Sequence, residues 1–191
     1  MTKTFLKICL VAASFTAAIS IAHAQERVYA LSGTVTSINP KIQMTEVDTD
    51  DGSTGHFRWL KVPGPAVDFN KSVSADAVPP EKFTAKGDHA IVYYFGEGDV
   101  RTLVALRDLG AGPVEKSIGT VVKLNRHDRL LTIKKDSGGE VSFHLDSKTV
   151  ADTSTGVMED FRFDLSKGAS VLVISAQANG ADMALLIVPS P

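Results

Sequence analysis

The stretch Gly33-Thr34-Val35 occurs a second time as Gly119-Thr120-Val121, 86 residues further along the chain. The same offset relates four more pairs of identical residues: Asn39 and Asn125, Asp50 and Asp136, Gly52 and Gly138, and Phe57 and Phe143. A shorter offset of 81 relates Lys86-Gly87 to Lys167-Gly168 and Val92 to Val173. Self-similarity at a fixed offset is the signature of a repeated structural unit. We therefore predict two copies of one small β module.

The residues around the repeated stretch alternate as half-buried strands do. Phe57 and Trp59 fall on one face of a predicted strand at about 55–62, and His56 and Arg58 fall on the other. Clusters of Asn, Asp, Gly and Pro predict the turns between strands. Each copy then has five short strands, with an irregular connection after the third, at residues 63–82 and 147–166. No segment shows sustained helical periodicity, and the best helical candidate is residues 157–160.

Five short strands with a longer break after the third are typical of a small barrel of the oligonucleotide/oligosaccharide-binding (OB) type. We predict an all-β protein made of two tandem five-stranded OB-like small barrels. A copy of this size buries only a modest fraction of its surface, so the two barrels are expected to pack on each other. The residues expected in the two cores are Phe57, Phe143, Val47 and Ile133.

The first residues have the pattern of a secretory signal peptide. Lys3 and Lys7 precede an apolar stretch, and Ala22-His23-Ala24 has the small-x-small form of a cleavage site. This pattern predicts export to the periplasm or secretion, and no transmembrane segment is expected after cleavage. The predicted organisation is a signal peptide at 1–24, a β-barrel module at 25–109, a linker at 110–116 and a second β-barrel module at 117–191.

Composition excludes some classes of function. The 191-residue chain has a formal net charge of −2, and without Lys3 and Lys7 the balance is more acidic. An acidic balance disfavours nucleic acid as a partner, because neutralised phosphates supply most of that affinity. The one cysteine, Cys9, lies within the signal segment, so the mature domain is expected to rest on burial without disulfides.

The second copy carries the clearest family resemblance. Its opening strand, Gly119 to Asn125, has the form Gly-x-Val. The pair Thr149-Val150 follows its third strand, and Leu165-Ser-Lys-Gly168 precedes its fourth. This resembles the exported bacterial β-barrel domains that are grouped as domains of unknown function. The first copy matches less well, since Ser72-Val73 stands where the second has Thr149-Val150. The resemblance implies a structural module and lends it no activity.

A more distant resemblance is to the small periplasmic barrels that bind copper or silver through His, Met and a stacking Trp. Met44, His56 and Trp59 are the residues that match, and thioether and imidazole ligands suit Cu(I). That family carries a Met-x-Met pair close after its Trp, which this chain lacks. His56 also alternates out of phase with Trp59. We therefore favour a core Trp59 and keep metal binding as an alternative.

Three further residues are candidates for a ligand or partner surface. Arg58 and His144 occupy matching positions in the two copies, on the face opposite the buried Phe. Tyr94 belongs to the aromatic run Tyr93-Tyr94-Phe95, on the face opposite its two neighbours. It is a candidate for a groove that holds a sugar or a peptide, although the pattern favours packing between the two modules.

No nucleophile elbow, phosphate loop or zinc-helix motif occurs in the sequence. Our hypothesis is therefore a non-catalytic binding or assembly module of the bacterial periplasm or cell envelope. It predicts an envelope or secreted protein partner and no cofactor. The alternatives are a periplasmic Cu/Ag-type metal-binding protein and a carbohydrate-binding accessory protein.

Overall fold

The computed structural model of the chain describes residues 27–59, 76–159 and 163–190. Their regular structure is β-strand, apart from one turn of 3-10 helix at Pro80–Lys82. Within these ranges no helix has the length and apolar character to cross a bilayer. The predicted signal peptide, and the first part of the predicted connection at 63–82, lie outside the described residues.

The first copy forms a closed five-stranded barrel in the strand order β1-β2-β3-β5-β4. Its strands are β1 (Tyr29–Asn39), β2 (Met44–Thr49), β3 (His56–Trp59), β4 (His89–Phe95) and β5 (Arg101–Gly110). Neighbouring strands are antiparallel except β3 and β5, which run parallel and close the barrel. This is the order expected of an OB-like barrel.

The second copy repeats this order and adds a hairpin. Its strands are β6 (Glu115–Asn125), β7 (Leu130–Lys135), β8 (Glu140–His144), β9 (Val150–Thr153), β10 (Gly156–Glu159), β11 (Ser170–Ala178) and β12 (Ala181–Pro189). The ring β6-β7-β8-β12-β11 closes through one parallel pair, Met183 with His144, while β9 and β10 extend the sheet beyond β12. The helical candidate at 157–160 is wrong, because residues 157–159 belong to β10.

The strand registers repeat at the two offsets found in the sequence. Gly33 lies opposite Thr49 as Gly119 lies opposite Lys135, and Val35 lies opposite Val47 as Val121 lies opposite Ile133. Arg58 lies opposite Thr102 as His144 lies opposite Met183. The first strand of each copy also carries a bulge at the same place, directly after Val35 and directly after Val121. The prediction of an all-β chain of two tandem small barrels is confirmed.

Each barrel buries its own core. Phe57 and Val47 lie in the first, and Phe143 and Ile133 lie in the second, all at most 6 % exposed. Strand alternation places them as expected, because Phe57 and Trp59 are buried while His56 and Arg58 are exposed. Burying one such phenylalanine contributes about 1.5–3 kcal/mol.

A third cluster of buried residues joins the two barrels. This interface cluster contains Val28, Ala30, Ile91, Tyr93 and Ala105 from the first barrel, and Val150, Leu172, Ile174 and Leu186 from the second. Central strands β4 and β11 are therefore buried on both faces, one towards a barrel core and one towards the other barrel. The expectation that the barrels pack on each other is confirmed. The predicted linker at 110–116 overlaps both strands, since β5 ends at Gly110 and β6 begins at Glu115.

Candidate functional site

The residues predicted as metal ligands lie on two faces of the first barrel. Trp59 points inward, where it is 7 % exposed and its Nε1 donates a hydrogen bond to Thr45 Oγ1 at 2.8 Å. Met44 and His56 alternate to the outer face of β2 and β3. The structure therefore does not bring the three together. Among the described residues, no group of three or more His, Cys, Asp or Glu is placed to hold a metal ion.

Arg58 and His144 lie exposed at equivalent positions on the outer faces of the two barrels. Each sits on the strand that closes its own barrel, Arg58 opposite Thr102 and His144 opposite Met183. They belong to separate barrels, and a shared contact surface for them stays a prediction.

Tyr94 lies at a cleft at one end of the first barrel. This mouth cleft has a volume of about 550 Å³, within the range of small-molecule sites. It is lined by Tyr29, Gly52, Ser53, Thr54, Tyr94, Gly96, Glu97, Gly98, Asp99 and Arg101. Tyr94 packs against the first barrel's core, and its neighbour Tyr93 belongs to the interface cluster. The expectation that Tyr94 packs between the modules is therefore wrong, because β4 turns its other face to the second barrel.

Aromatic rings and guanidinium groups contact one another along the wall of the mouth cleft, which Tyr29, Tyr94 and Arg101 line. The rings of Tyr29 and Tyr94 stack with centroids 5.7 Å apart, and the Arg27 guanidinium lies 4.4 Å from the Tyr29 centroid. The Arg101 guanidinium lies 4.7 Å from the Tyr94 centroid and 4.8 Å from that of Phe57. Contacts of this length are attractive cation–π interactions.

Arg101 is the charged group at the inner end of this wall. It is 7 % exposed, and its Nη2 donates to Ser53 Oγ at 3.1 Å. Its buried Nε has no hydrogen-bond partner among the residues that the structure describes. Arg107, equally buried, instead has the carboxylate of Glu159 at 3.3 Å and donates to the Lys148 carbonyl. Among the described residues, no carboxylate lies within ion-pair distance of Arg101.

The rim of the mouth cleft is a short loop with two glycines. Gly96 and Gly98 have φ of 85° and 90°, a conformation that a residue with a Cβ adopts at a cost. Between and after them, the exposed Glu97 and Asp99 supply hydrogen-bond acceptors. Burial raises the pKa of Tyr94, and a hydrogen bond with Arg101 only partly offsets that rise. The Tyr94 hydroxyl is therefore a neutral donor at physiological pH.

Four side chains of the cleft differ between the two copies. At the equivalent positions the second barrel has Glu115 for Tyr29, Gly139 for Ser53, Ser175 for Tyr94 and Asp182 for Arg101. The sequence analysis identified Tyr94 as a candidate but missed Tyr29 and Arg101. A comparison of the two copies could have identified Tyr29 and Arg101, because the copies carry side chains of different chemistry at these positions.

The second barrel has a groove of its own, of about 620 Å³, between the end of β6 and the turn before β11. Its lining includes Lys123, Arg126 and Lys167. Arg126 pairs with Asp164 at 3.1 Å, but both side chains are more than half exposed. Exposed ion pairs of this kind contribute little to the stability of a side-chain arrangement. The mouth cleft, with its buried arginine, is therefore the stronger candidate site.

A buried polar cluster lies where the chain passes from one barrel to the other. The Asp50 carboxylate, 5 % exposed, accepts from Ser32 Oγ at 2.6 Å, lies 2.6 Å from His89 Nε2 and pairs with Lys116 Nζ at 2.8 Å. Burial acts to raise the pKa of Asp50, yet these hydrogen bonds outweigh it and lower the pKa to about 2. Because Lys116 lies on β6, the cluster ties the first barrel to the second.

Comparison of the chain with protein-family models found no match, and comparison with curated proteins found none either. The assignment of a function therefore rests on the geometry of the mouth cleft and on the difference between the two copies.

Proposed function

We propose that this protein is a non-catalytic binding or assembly module of the bacterial periplasm or cell envelope, exported by residues 1–24, and that the mouth cleft is its binding site. The observation that carries the proposal is that the side chains Tyr29, Ser53, Tyr94 and Arg101, which line the cleft, occur in only one of two barrels with the same core strand order. The fold does not require these four side chains, because the second barrel has other residues at their positions.

The buried charge in the cleft supports the same conclusion. Removing a guanidinium from water is costly unless a counter-charge compensates, and the described contacts of Arg101 are two neutral hydroxyls, of Ser53 and Tyr94, and two aromatic rings. The second barrel has Asp182 at that position, partly exposed and on strand β12. A side chain that costs stability and that the fold does not require is expected at a binding site.

The test is affinity capture from an envelope fraction with the mature protein and two variants. Tyr94→Ser introduces the residue of the second barrel, and Lys41→Ser changes an exposed residue on the turn between β1 and β2, outside the cleft lining. We expect the wild type and Lys41→Ser to retain a ligand or partner that Tyr94→Ser loses. Equal capture by all three proteins would contradict the proposal, as would robust turnover of a substrate by the purified protein.

A further inference from the structure

The starting point is a difference between the arginines of the first barrel. Arg27 contacts the carboxylate of Asp152 at 2.7 Å, and Arg107 contacts that of Glu159 at 3.3 Å. Arg101 is as buried as Arg107, but its described contacts are the neutral hydroxyls of Ser53 and Tyr94 and two aromatic rings. An arginine removed from water without a counter-charge leaves electrostatic attraction for an anion that can reach it.

The arrangement of the rings favours a planar anion. The guanidinium carbon lies 4.8 Å from the Phe57 ring centroid and 4.7 Å from that of Tyr94. A guanidinium has five N–H donors, and its described hydrogen-bond partners are Ser53 and Tyr94, so N–H groups remain for a ligand. One of the five already points to Ser53 in the lining of the mouth cleft. The guanidinium edge matches a carboxylate in a bidentate geometry, with two parallel hydrogen bonds.

The rim limits the charge of the ligand. Glu97 and Asp99 are exposed at the opening, so a ligand with several negative charges is repelled there. The same carboxylates accept hydrogen bonds from hydroxyl or amide groups, and Ser53 and Thr54 add hydroxyls of their own. The lining therefore suits one carboxylate on a body that is otherwise neutral and polar.

We infer that the mouth cleft binds its ligand through a single carboxylate, which Arg101 holds at the inner end and which the rim residues discriminate from polyanions. This inference rests on the proposed function and specifies the ligand class of the same site. A uronic acid and the end of an acylated peptide both present this chemistry, so the experiment has an arm for each.

The experiment is calorimetric titration of the mature protein with two acids and their neutral counterparts: D-glucuronate against D-glucose, and N-acetylglycine against N-acetylglycinamide. We expect saturable binding of at least one acid and none of its neutral counterpart. Arg101→Gln should weaken that binding by about tenfold to a hundredfold, and Arg101→Lys, which keeps the charge, by less. Lys41→Gln is the control, because it removes an exposed cation of the same barrel that lies outside the cleft lining, and it should bind as the wild type does.

A stability measurement separates binding from a purely structural role. Arg101→Met should unfold at the same temperature as the wild type or a higher one, because it removes a buried cation that has no counter-charge within the described part of the chain. The acid that binds should raise the melting temperature of the wild type and leave that of Arg101→Met unchanged. A clear loss of stability in Arg101→Met, with acid binding intact in Arg101→Gln, would assign Arg101 to the fold and overturn the inference.

The remaining outcomes are equally decisive. No saturation by either acid, or equal binding of the neutral compounds, overturns the inference. If envelope capture still depends on Tyr94 in that case, the proposed function stands and only the ligand class is wrong. If capture is also independent of Tyr94, both fail.

Discussion

Gly33 and Gly119 show why one residue type recurs at the same register. A Cβ on Gly33 would lie 2.3 Å from the Asp48 carbonyl oxygen, and one on Gly119 would lie 2.2 Å from that of Lys134. The first two strands of each barrel come very close at these points, and only glycine lets the two backbones approach so closely. The repeated Gly-Thr-Val stretch therefore marks a contact that barrel closure requires in each copy.

Replacement of Gly33 by alanine is expected to destabilise the protein by about 1–3 kcal/mol, since the methyl group would force the backbone of β2 to move. Gly112→Ala is the matched control, because a Cβ there meets no atom within 4 Å, and it should change stability by less than about 0.5 kcal/mol. Urea unfolding measures both. Equal stability of the two variants would show that the close approach carries no cost.

Asn39 and Asn125 explain a second pair of identities. The Asn39 side chain accepts hydrogen bonds from the backbone N–H groups of residues 41 and 42, and Asn125 does the same for residues 127 and 128. In each turn a residue with positive φ follows, Gln43 at 54° and Arg129 at 52°. The repeat identified these asparagines, and the structure supplies the reason, which is a side chain that caps the turn.

At the scale of elements, the hairpin of β9 and β10 separates the second copy from the first. Its strands have four residues each, and the sequence Val157-Met158-Glu159 favours a helical turn as much as a strand. Pairing of β9 with β12, and contacts of Asp152 and Glu159 with the first barrel, hold it in place. A hairpin stabilised by distant residues was not predictable from local pattern.

The ion pair of Arg107 and Glu159 can be used to test whether contacts with the first barrel stabilise this hairpin. Burial raises the pKa of Glu159, and Arg107 opposes that rise. Glu159→Leu leaves Arg107 buried and should cost about 3–5 kcal/mol, whereas Arg107→Met with Glu159→Leu should restore much of that loss. Asp164→Asn, which breaks the exposed pair with Arg126, should cost less than about 1 kcal/mol. Thermal unfolding compares the stability of the three variants. Equal losses of stability in Glu159→Leu and in the double variant would count against a buried pair.

At the scale of the whole molecule, the two barrels pack through equivalent faces. Ile91 and Leu172, Tyr93 and Ile174, and Ala105 and Leu186 are matching positions of the two copies, and all six lie in the interface cluster. A patch that packs on its own copy is the property of a two-fold dimer interface. The chain therefore contains within itself the kind of contact that two identical barrels would make.

We expect stability to depend on pH through Asp50, whose carboxylate pairs with Lys116 of the second barrel. The pKa of Asp50 is about 2 in the folded protein, below its ordinary value of 3.8, so its stabilising effect is complete above about pH 4. The effect is lost as the pH falls from 4 towards 2, and it amounts to about 2 kcal/mol. Asp50→Asn should therefore be less stable than the wild type at pH 6, and the difference should shrink towards pH 2.

Asp136→Asn is the control, because Asp136 occupies the equivalent position in the second barrel and is exposed. Its stability should follow the wild type throughout the same range. Urea unfolding at several pH values provides the comparison, and a gap between Asp50→Asn and the wild type that is constant with pH would refute the linkage.

The sequence by itself determined the duplication, the all-β class and the burial of Phe57, Phe143, Val47 and Ile133. These follow from local alternation and from a constant offset between identical residues, and both are properties of position along the chain. Only the tertiary structure decided that Tyr93 faces the other barrel, that the hairpin joins β12, and that Tyr29, Tyr94 and Arg101 form one wall. Each of these depends on contacts between residues far apart in sequence, which no local pattern encodes.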